Sequence, residues 1–449
     1  MFVRMPALTD AERVAHAKPI DWAAVRLSPE DIFTHAGPQS SFAARPGEIR
    51  LQQWQGEPVY RFSVAGKSLA FSAANGLAVG PVDQDRAVRV AAEFSGHNNA
   101  QWLETLERDR WTVTSRYNPY RPLHRIAIPD GAGTELYVSA ATGEVVLDTT
   151  RSERFWNGLG AVTHWFYITA LRSDQRLWES VILWTSGAGI AVAISGLWLG
   201  LQRLRRSRWT PYRGWMAWHH IAGLLGGLPL LTWIFSGWLS VAPLPLSEDG
   251  LLAILSAKTH YSRPGETAFP LTGEARDAFA EKEIDEARML WESGKPVVLL
   301  TDRENHTAPF APDTGQHIHW TDAELFDAMQ RALPTARLTQ RIRLEQEDRY
   351  WYSHREQRRL PVLRGVFDDA AATWMHIDPT TGELLQLMNR DTRTYRWLFN
   401  ALHSLDFPWL IQFGTGWQCL LVVLSGMGLI ISVTGVILGW RRLRSSCKG

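Results

Sequence analysis

HWFYITALRSDQRLWESVILWTSGAGIAVAISGLWLGLQRLR, residues 164–205, is echoed 239 positions later by HSLDFPWLIQFGTGWQCLLVVLSGMGLIISVTGVILGWRRLR, residues 403–444. Each copy opens on a histidine, passes through a long uncharged run and stops on arginines. Laid over one another without a gap, Ser186, Gly187, Gly189, Gly196, Gly200, Arg203, Leu204 and Arg205 fall on Ser425, Gly426, Gly428, Gly435, Gly439, Arg442, Leu443 and Arg444. A register held over that distance points to a duplicated unit built round an apolar helix.

Three uncharged runs stand out in the chain: 180–201, 216–246 and 417–439. Each exceeds the roughly 20 residues that a membrane-spanning helix needs. Basic residues set the expected orientation, because Lys and Arg are retained on the cytoplasmic side. Arg203, Arg205, Arg206, Arg208 and Arg213 crowd the link between the first two runs, and Arg441, Arg442, Arg444 and Lys448 follow the third. The long segments before residue 150 and over 247–388 are then expected on the opposite, exported side. A net charge of +1 gives no field that would favour nucleic acid. With two cysteines, Cys419 inside a run and Cys447 in the basic tail, an exported disulfide is excluded and thiol metal sites are disfavoured. Residues 1–25 carry charges and no apolar core, so they do not read as a signal peptide.

The repeat extends upstream of the histidines. Thr142-Gly143-Glu144 matches Thr381-Gly382-Glu383 at the same offset, as do Pro122 and Pro361, Arg125 and Arg364, Asp130 and Asp369, and Thr134 and Thr373. Gly56-Glu57-Pro58 meets Gly294-Lys295-Pro296 with a slip of one residue. Within each exported module, β-branched and apolar alternation predicts strands over 58–64, 136–138 and 145–147, and over 297–301, 374–377 and 384–386, with helical spacing over 83–94 and 322–333. Each module is expected to fold as a small α+β domain. Subtracting 239 from the run at 216–246 places its counterpart, including partners for His219 and His220, before residue 1, and Pro245 lands on Pro6. The unit therefore predicts a fourth helix ahead of the three visible ones; an asymmetric duplication is the alternative.

Histidine is costly inside a membrane and, where present, faces a bundle interior or marks a functional path. His164 and His403 head two runs at the exported end, whereas His219 and His220 lie near the cytoplasmic end of another. Two layers result. Neutral imidazoles from facing helices are good axial ligands for haem iron and leave an electron-transfer haem without an open position. Repeat symmetry pairs His164 with His403 on one haem b. His219 or His220, about 100° apart on a helix, would need the mate carried by the fourth helix. Helix-elbow hydrogen bonding is the plainer role for these histidines, and tight helix packing is the plainer role for Gly187, Gly189, Gly223, Gly227, Gly426 and Gly428. His317 and His319 alternate on a strand without a third metal ligand nearby, so solvent-facing positions are expected. Tyr350-Trp351-Tyr352 with Arg355, Arg358 and Arg359 offers an aromatic, basic surface for an anionic ring-bearing ligand. Most of the 22 tryptophans fit a membrane aromatic belt. No hydrolase, Walker or dinucleotide motif occurs in a convincing setting, and catalytic residues are not identified.

The module ending in Tyr137-Val138 and Thr142-Gly143-Glu144-Val145, its copy His376-Ile377-Asp378-Pro379-Thr380-Thr381-Gly382-Glu383-Leu384, and the attached histidine-bearing runs resemble the PepSY-associated transmembrane (PepSY-TM) family. So does the 215–240 stretch with Trp218-His219-His220 and Ser236-Gly237. The resemblance implies a multi-pass bacterial inner-membrane protein with periplasmic PepSY domains, in a family that includes iron-regulated membrane proteins and haem-containing reductases of ferric siderophores. Four spanning helices are usual there, and three are visible here. The expected fold class is an α-helical membrane protein with two small exported α+β PepSY-like domains and an internal duplication. Its segments are an N-terminal part (1–40), a first module (41–150), an elbow and span (151–206), a span (207–246), a second module (247–388), and a final elbow, span and basic tail (389–449). The expected function is haem b electron transfer across the lipid bilayer, from an unidentified donor to a periplasmic ferric chelate. A non-enzymatic membrane protein that binds or restrains a periplasmic peptidase or other envelope partner is the reading from a different class, and a channel for iron chelates is a lesser one.

Overall fold

The computed structural model describes residues 5–35, 47–204, 210–241, 248–262, 269–353 and 357–446. Arg205, Arg206, Arg208, Pro245, Arg355, Cys447 and Lys448, which entered the reading above, lie outside the described residues. The chain forms two compact units, one of residues 1–175, 251–345 and 359–387, the other of residues 176–250, 346–358 and 388–449.

The first unit opens with two short helices, α1 (Asp10–Ala15) and α2 (Pro29–His35). Strands β1 (Glu48–Trp54), β2 (Glu57–Val64) and β3 (Lys67–Ser72) follow, joined by two-residue turns. Gln55 and Gly56 both have positive φ, as do Ala65 and Gly66, which is the backbone that hairpins between right-twisted strands require. Helix α3 (Gln84–Ser95) starts on the Asp83 side chain, which accepts from the Arg86 amide, and stops at left-handed Gly96. Then come β4 (Gln101–Leu106), β5 (Leu123–Ala127), β6 (Glu135–Ser139) and β7 (Val145–Thr149). Short helices α4 (Arg151–Leu159), α5 (Ala161–His164) and α6 (Thr169–Arg172) lead to the long α7 (Gln175–Arg203) and α8 (Trp215–Leu239). Helices α9 (Glu248–Tyr261) and α10 (Gly273–Ala280) return the chain to the first unit. The earlier order of elements then recurs: β8 (Glu286–Glu292), β9 (Lys295–Thr301), β10 (Thr307–Phe310), α11 (Asp322–Ala332), β11 (Leu338–Leu344), β12 (Val362–Phe367), β13 (Trp374–Ile377) and β14 (Leu384–Met388). Ser293 and Gly294 make the β8–β9 turn with the same two positive φ angles as Gln55 and Gly56.

The two segments, each expected as a small α+β module, share a sheet. Strands from both build one six-stranded sheet, ordered β10-β9-β8-β1-β2-β3, while β4–β7 and β11–β14 form two four-stranded sheets. The join is the antiparallel pair β1–β8, with Arg50 opposite Arg288. Like charges directly opposite one another destabilise a sheet. Here each arginine has its own acid: Arg50 holds Glu144 at 2.7 Å, and Arg288 holds Glu383 at 2.8 Å and Glu48 at 3.1 Å. Glu144 and Glu383 are the last residues of the two Thr-Gly-Glu turns, so those turns secure the join. A smaller matched feature lies further along. The Thr134 hydroxyl donates to Asp130 at 2.6 Å, and the Thr373 hydroxyl to Asp369 at 2.7 Å. One core, under the shared sheet, collects Ile20, Trp22 and Ile32 from the N-terminal part with Leu51, Tyr60, Phe279, Met289 and Val298. In another, Ala87, Val90 and Ala91 of α3 pack on Ile126, Leu136 and Val138. Burying side chains of this size stabilises by about 1.5–3 kcal/mol each.

The second unit contains three helices long and apolar enough to cross a membrane: α7, α8 and the last helix, α15 (Thr415–Ser446). Before α15 the chain makes an elbow of α12 (Arg390–Tyr395), a π-helical turn (Arg396–Ala401), α13 (Leu402–Ser404) and α14 (Pro408–Ile411). Helices α8 and α15 pack closely because α8 is small at the contact. A Cβ on Gly226 would lie 2.8 Å from the Met427 Cβ. On its other side, a Cβ on Gly227 would lie 2.7 Å from Leu197 of α7. These glycines thus take the packing role, as small residues do where lipid removes any hydrophobic drive between helices. No residue of α7 is buried within the structure.

Candidate functional site

His403 is the middle residue of α13 in the second unit, and Leu405, two residues on, is left-handed. Its Nδ1 lies 3.0 Å from the Ser236 hydroxyl of α8. That hydroxyl has one hydrogen, and its backbone neighbours are acceptors only: the Thr232 carbonyl at 2.7 Å and the Trp233 carbonyl at 3.1 Å. The Ser236 proton therefore goes to the helix backbone, and its oxygen accepts from His403. This assigns the imidazole hydrogen to Nδ1 and the lone pair to Nε2. Phe399, one turn earlier, stacks on the ring at 5.1 Å and 19°, and Tyr395 stacks on Phe399 at 5.3 Å and 19°.

His219, near the start of α8, is held by the same device. Its Nδ1 lies 2.9 Å from the Thr434 hydroxyl of α15, which donates to the Ile430 carbonyl at 2.6 Å. The lone pair again falls on Nε2. A Cβ on Gly435 would sit 3.5 Å from His219 Cε1, an ordinary van der Waals contact. His219 and Ser236 are seventeen residues apart on α8, or about 25 Å at the α-helical rise. The second unit thus carries two imidazoles of one tautomer in two layers.

His220 differs. Its Nε2 lies 3.0 Å from the Gly200 carbonyl of α7, so Nε2 carries the hydrogen and the lone pair is on Nδ1. The ring is buried and meets Tyr212 edge-on at 5.3 Å. Adjacent on the helix, the two histidines face different neighbours. His164 belongs to the first unit, where it ends α5 with an exposed side chain and is followed by left-handed Phe166. The same succession, short helix, histidine and left-handed residue two places on, occurs at His403.

Of the aromatic and basic stretch, Tyr350, Tyr352 and Arg358 are half-buried and Arg359 is exposed. Trp351 is buried, with Arg358 over its ring at 4.9 Å. Tyr352 donates to Asp406 at 2.6 Å, and burial together with that carboxylate pushes the phenol pKa up. The buried Arg396 lies between the rings of Trp397 (4.2 Å) and Tyr352 (4.9 Å), and donates to the Arg349 and Asp406 carbonyls. These groups brace the elbow that carries His403. In the first unit Arg359 pairs with Asp378 and Glu383. His317 and His319 are exposed with rings 4.3 Å apart. Among the described residues no three His, Cys, Asp or Glu side chains converge as a metal site.

Sequence reasoning singles out the histidines but not Thr434, Phe399, Tyr395, Arg396 or Asp406, and it takes Ser236 only as part of a motif. The one available signal is positional: Thr434 follows Ser195, another hydroxyl, by the same 239 residues that separate His403 from His164. Compared with protein-family models and with curated proteins, the chain matches none.

Proposed function

We propose that this chain is a haem b electron-transfer protein of the bacterial inner membrane, of the PepSY-TM type, that reduces a periplasmic ferric chelate such as a siderophore complex. The observation that supports this reading best is the paired hydroxyl device. His403 and His219 each hold Nδ1 within hydrogen-bond distance of a Ser or Thr hydroxyl, the kind of partner that orients an imidazole for a metal. A haem so held supplies single electrons by iron redox change, with a potential tuned by axial ligand and burial. The residues themselves orient the ligand atoms and keep water from them within the apolar helices. Reduction releases iron without breaking the chelator, because Fe(II) binds hard oxygen donors less well.

In this reading the chain is an internal duplication, with the sheet-rich unit in the periplasm and the C-terminus in the cytoplasm. His403 serves the periplasmic layer. His219 or His220 serves the cytoplasmic layer: the His220 Nε2 hydrogen goes to the Gly200 carbonyl, and its buried Nδ1 has no hydrogen-bond partner among the described residues. Two layers about 25 Å apart suit a relay across a hydrocarbon core of about 30 Å.

The test is the visible spectrum of the detergent-purified protein, expressed with haem available, oxidised and then reduced with dithionite. Sharp α and β bands on reduction are expected, with loss of one component in His403→Ala and of another in either His219→Ala or His220→Ala. A colourless protein would overturn the reading and leave partner binding by the sheet-rich unit as the better account.

A further inference from the structure

A cavity of about 90 Å³ opens in the first unit, lined from α1, β1, β2, α3 and the Thr142-Gly143-Glu144 turn. Its walls are largely apolar, from Trp54, Val90, Phe94 and Val145, and His16 at its edge stacks on Phe94 at 4.4 Å. Arg61 breaks this pattern. Its side chain lines the cavity although the residue is only 2% exposed, and its guanidinium lies 5.7 Å from the centre of the Trp54 ring. Nη1 donates to the Thr142 carbonyl at 2.8 Å. Nε and Nη2, the other edge of the fork, have no hydrogen-bond partner among the described residues and are not fully enclosed, so the cavity is what they face.

The fold does not require an arginine there. The β8–β9 hairpin has the same turn, and five residues past its Gly294 it buries Leu299 beside Leu290 and Val297, whereas five past Gly56 the β1–β2 hairpin buries Arg61. Nearby carboxylates are already engaged: Glu144 by Arg50 at 2.7 Å, Glu286 by Arg13 and by Gln52 at 2.7 Å, and Glu93 by Lys18 at 2.5 Å. Among the described residues no carboxylate lies within ion-pair distance of Arg61. Burial pushes the Arg61 pKa down to about 10, with Glu144 opposing the fall and Arg50 and Arg13 adding to it, so the group stays charged at neutral pH. A buried charge without a partner is costly. A planar fork with one edge free matches the two oxygens of a carboxylate.

We propose that this cavity is a binding site for a small organic carboxylate, whose oxygens take the free Nε and Nη2 edge of Arg61 and whose apolar body lies against Trp54 and Phe94. The space is smaller than the ~150 Å³ apolar cavity that admits benzene, so the body is short. This site is independent of the haem reading.

The test is saturation-transfer NMR on the full chain in detergent with propionate, propionamide, inorganic phosphate and N-acetylalanine, with circular dichroism to check the fold of each variant. Propionate is expected to bind saturably in the millimolar range, propionamide not to bind, and phosphate not to displace propionate at equal concentration. Arg61→Leu, the side chain that the β8–β9 hairpin carries, is expected to weaken propionate binding about ten-fold or more, and Arg61→Lys, which keeps the charge without the fork, by less. Ala17→Leu, which fills the cavity without touching the charge, carries the same expectation as Arg61→Leu and decides the matter where that variant does not fold. N-acetylalanine binding tighter than propionate would assign the site to the C-terminal carboxylate of a peptide, and weaker binding to a free short acid; both support the same chemistry at Arg61. No saturable binding in the parent, equal binding of propionamide, or parental binding in both Arg61→Leu and Ala17→Leu would overturn the proposal. Displacement by phosphate at lower concentration would overturn it in favour of an inorganic anion.

Discussion

Ser236 and Thr434 show how much a hydroxyl can do for a histidine. An imidazole presents either nitrogen to a metal, and the choice is set by what the other nitrogen bonds. Each hydroxyl here also lies within hydrogen-bond reach of a helix carbonyl, and donating there leaves its oxygen to accept from Nδ1. Removing it frees the ring to turn or to change tautomer. Ser236→Ala and Thr434→Val are therefore expected to weaken haem retention about 10–100-fold, the usual effect of losing such a partner, with no loss of expression. Titration of apo-protein with haem, followed in the Soret band, measures this. Unchanged affinity in both variants would remove the main support for the ligand assignment. The histidines are legible in the sequence because apolar runs make them conspicuous. Their partners are not, since Ser236 is 167 residues from His403 and Thr434 is 215 from His219, and a hydroxyl bonded to its own helix is commonplace.

At the scale of elements, the two contacts of α8 explain why the three long helices are legible while their arrangement is not. Length and uninterrupted apolar character suffice to mark α7, α8 and α15, but a glycine in such a run is equally consistent with a cofactor cleft and with helix contact. Gly226 resolves to contact with α15, and Gly227 to contact with α7. Because the Gly226 contact lies between the His219–Thr434 and Ser236–His403 bonds, it sets the spacing for both. Gly226→Ala puts a methyl group 2.8 Å from the Met427 Cβ, and neither helix backbone can yield without the other moving. Overpacking of this kind costs about 1–3 kcal/mol. The expected outcome is a lower melting temperature of the purified protein together with broadened or weakened haem bands, and Gly223→Ala, where a Cβ meets nothing within 4 Å, is the matched control. Equal behaviour of the two variants would show that this contact does not govern the site.

At the scale of the molecule, the shared sheet makes the two sheet-rich segments one folding unit, which a repeat read along the chain cannot reveal. Periodicity identifies β1 and β8 as strands, but which strand each one pairs with depends on side chains from distant turns, Glu144 and Glu383 above all. A perturbation at one end of that sheet should therefore be felt at the other. Glu292, at the end of β8, supplies one. Burial, reinforced by the nearby Glu383 carboxylate, holds its pKa well above the usual value, so the folded protein keeps it protonated where the unfolded chain, with a pKa of about 4.3, does not. The folded state then binds the extra proton, and stability is greatest below the unfolded pKa and falls as pH rises through the folded one. Glu292→Gln keeps the shape and acceptor for Ser262 but cannot ionise. It is expected to raise the melting temperature at pH 8 and to change it little at pH 4. Because β8 is bonded to β1, hydrogen exchange at pH 8 should slow not only in β8 and β9 but also in β2 and β3, 220 or more residues away in sequence. Protection confined to β8–β10 would mean that the two segments unfold independently despite the sheet that joins them.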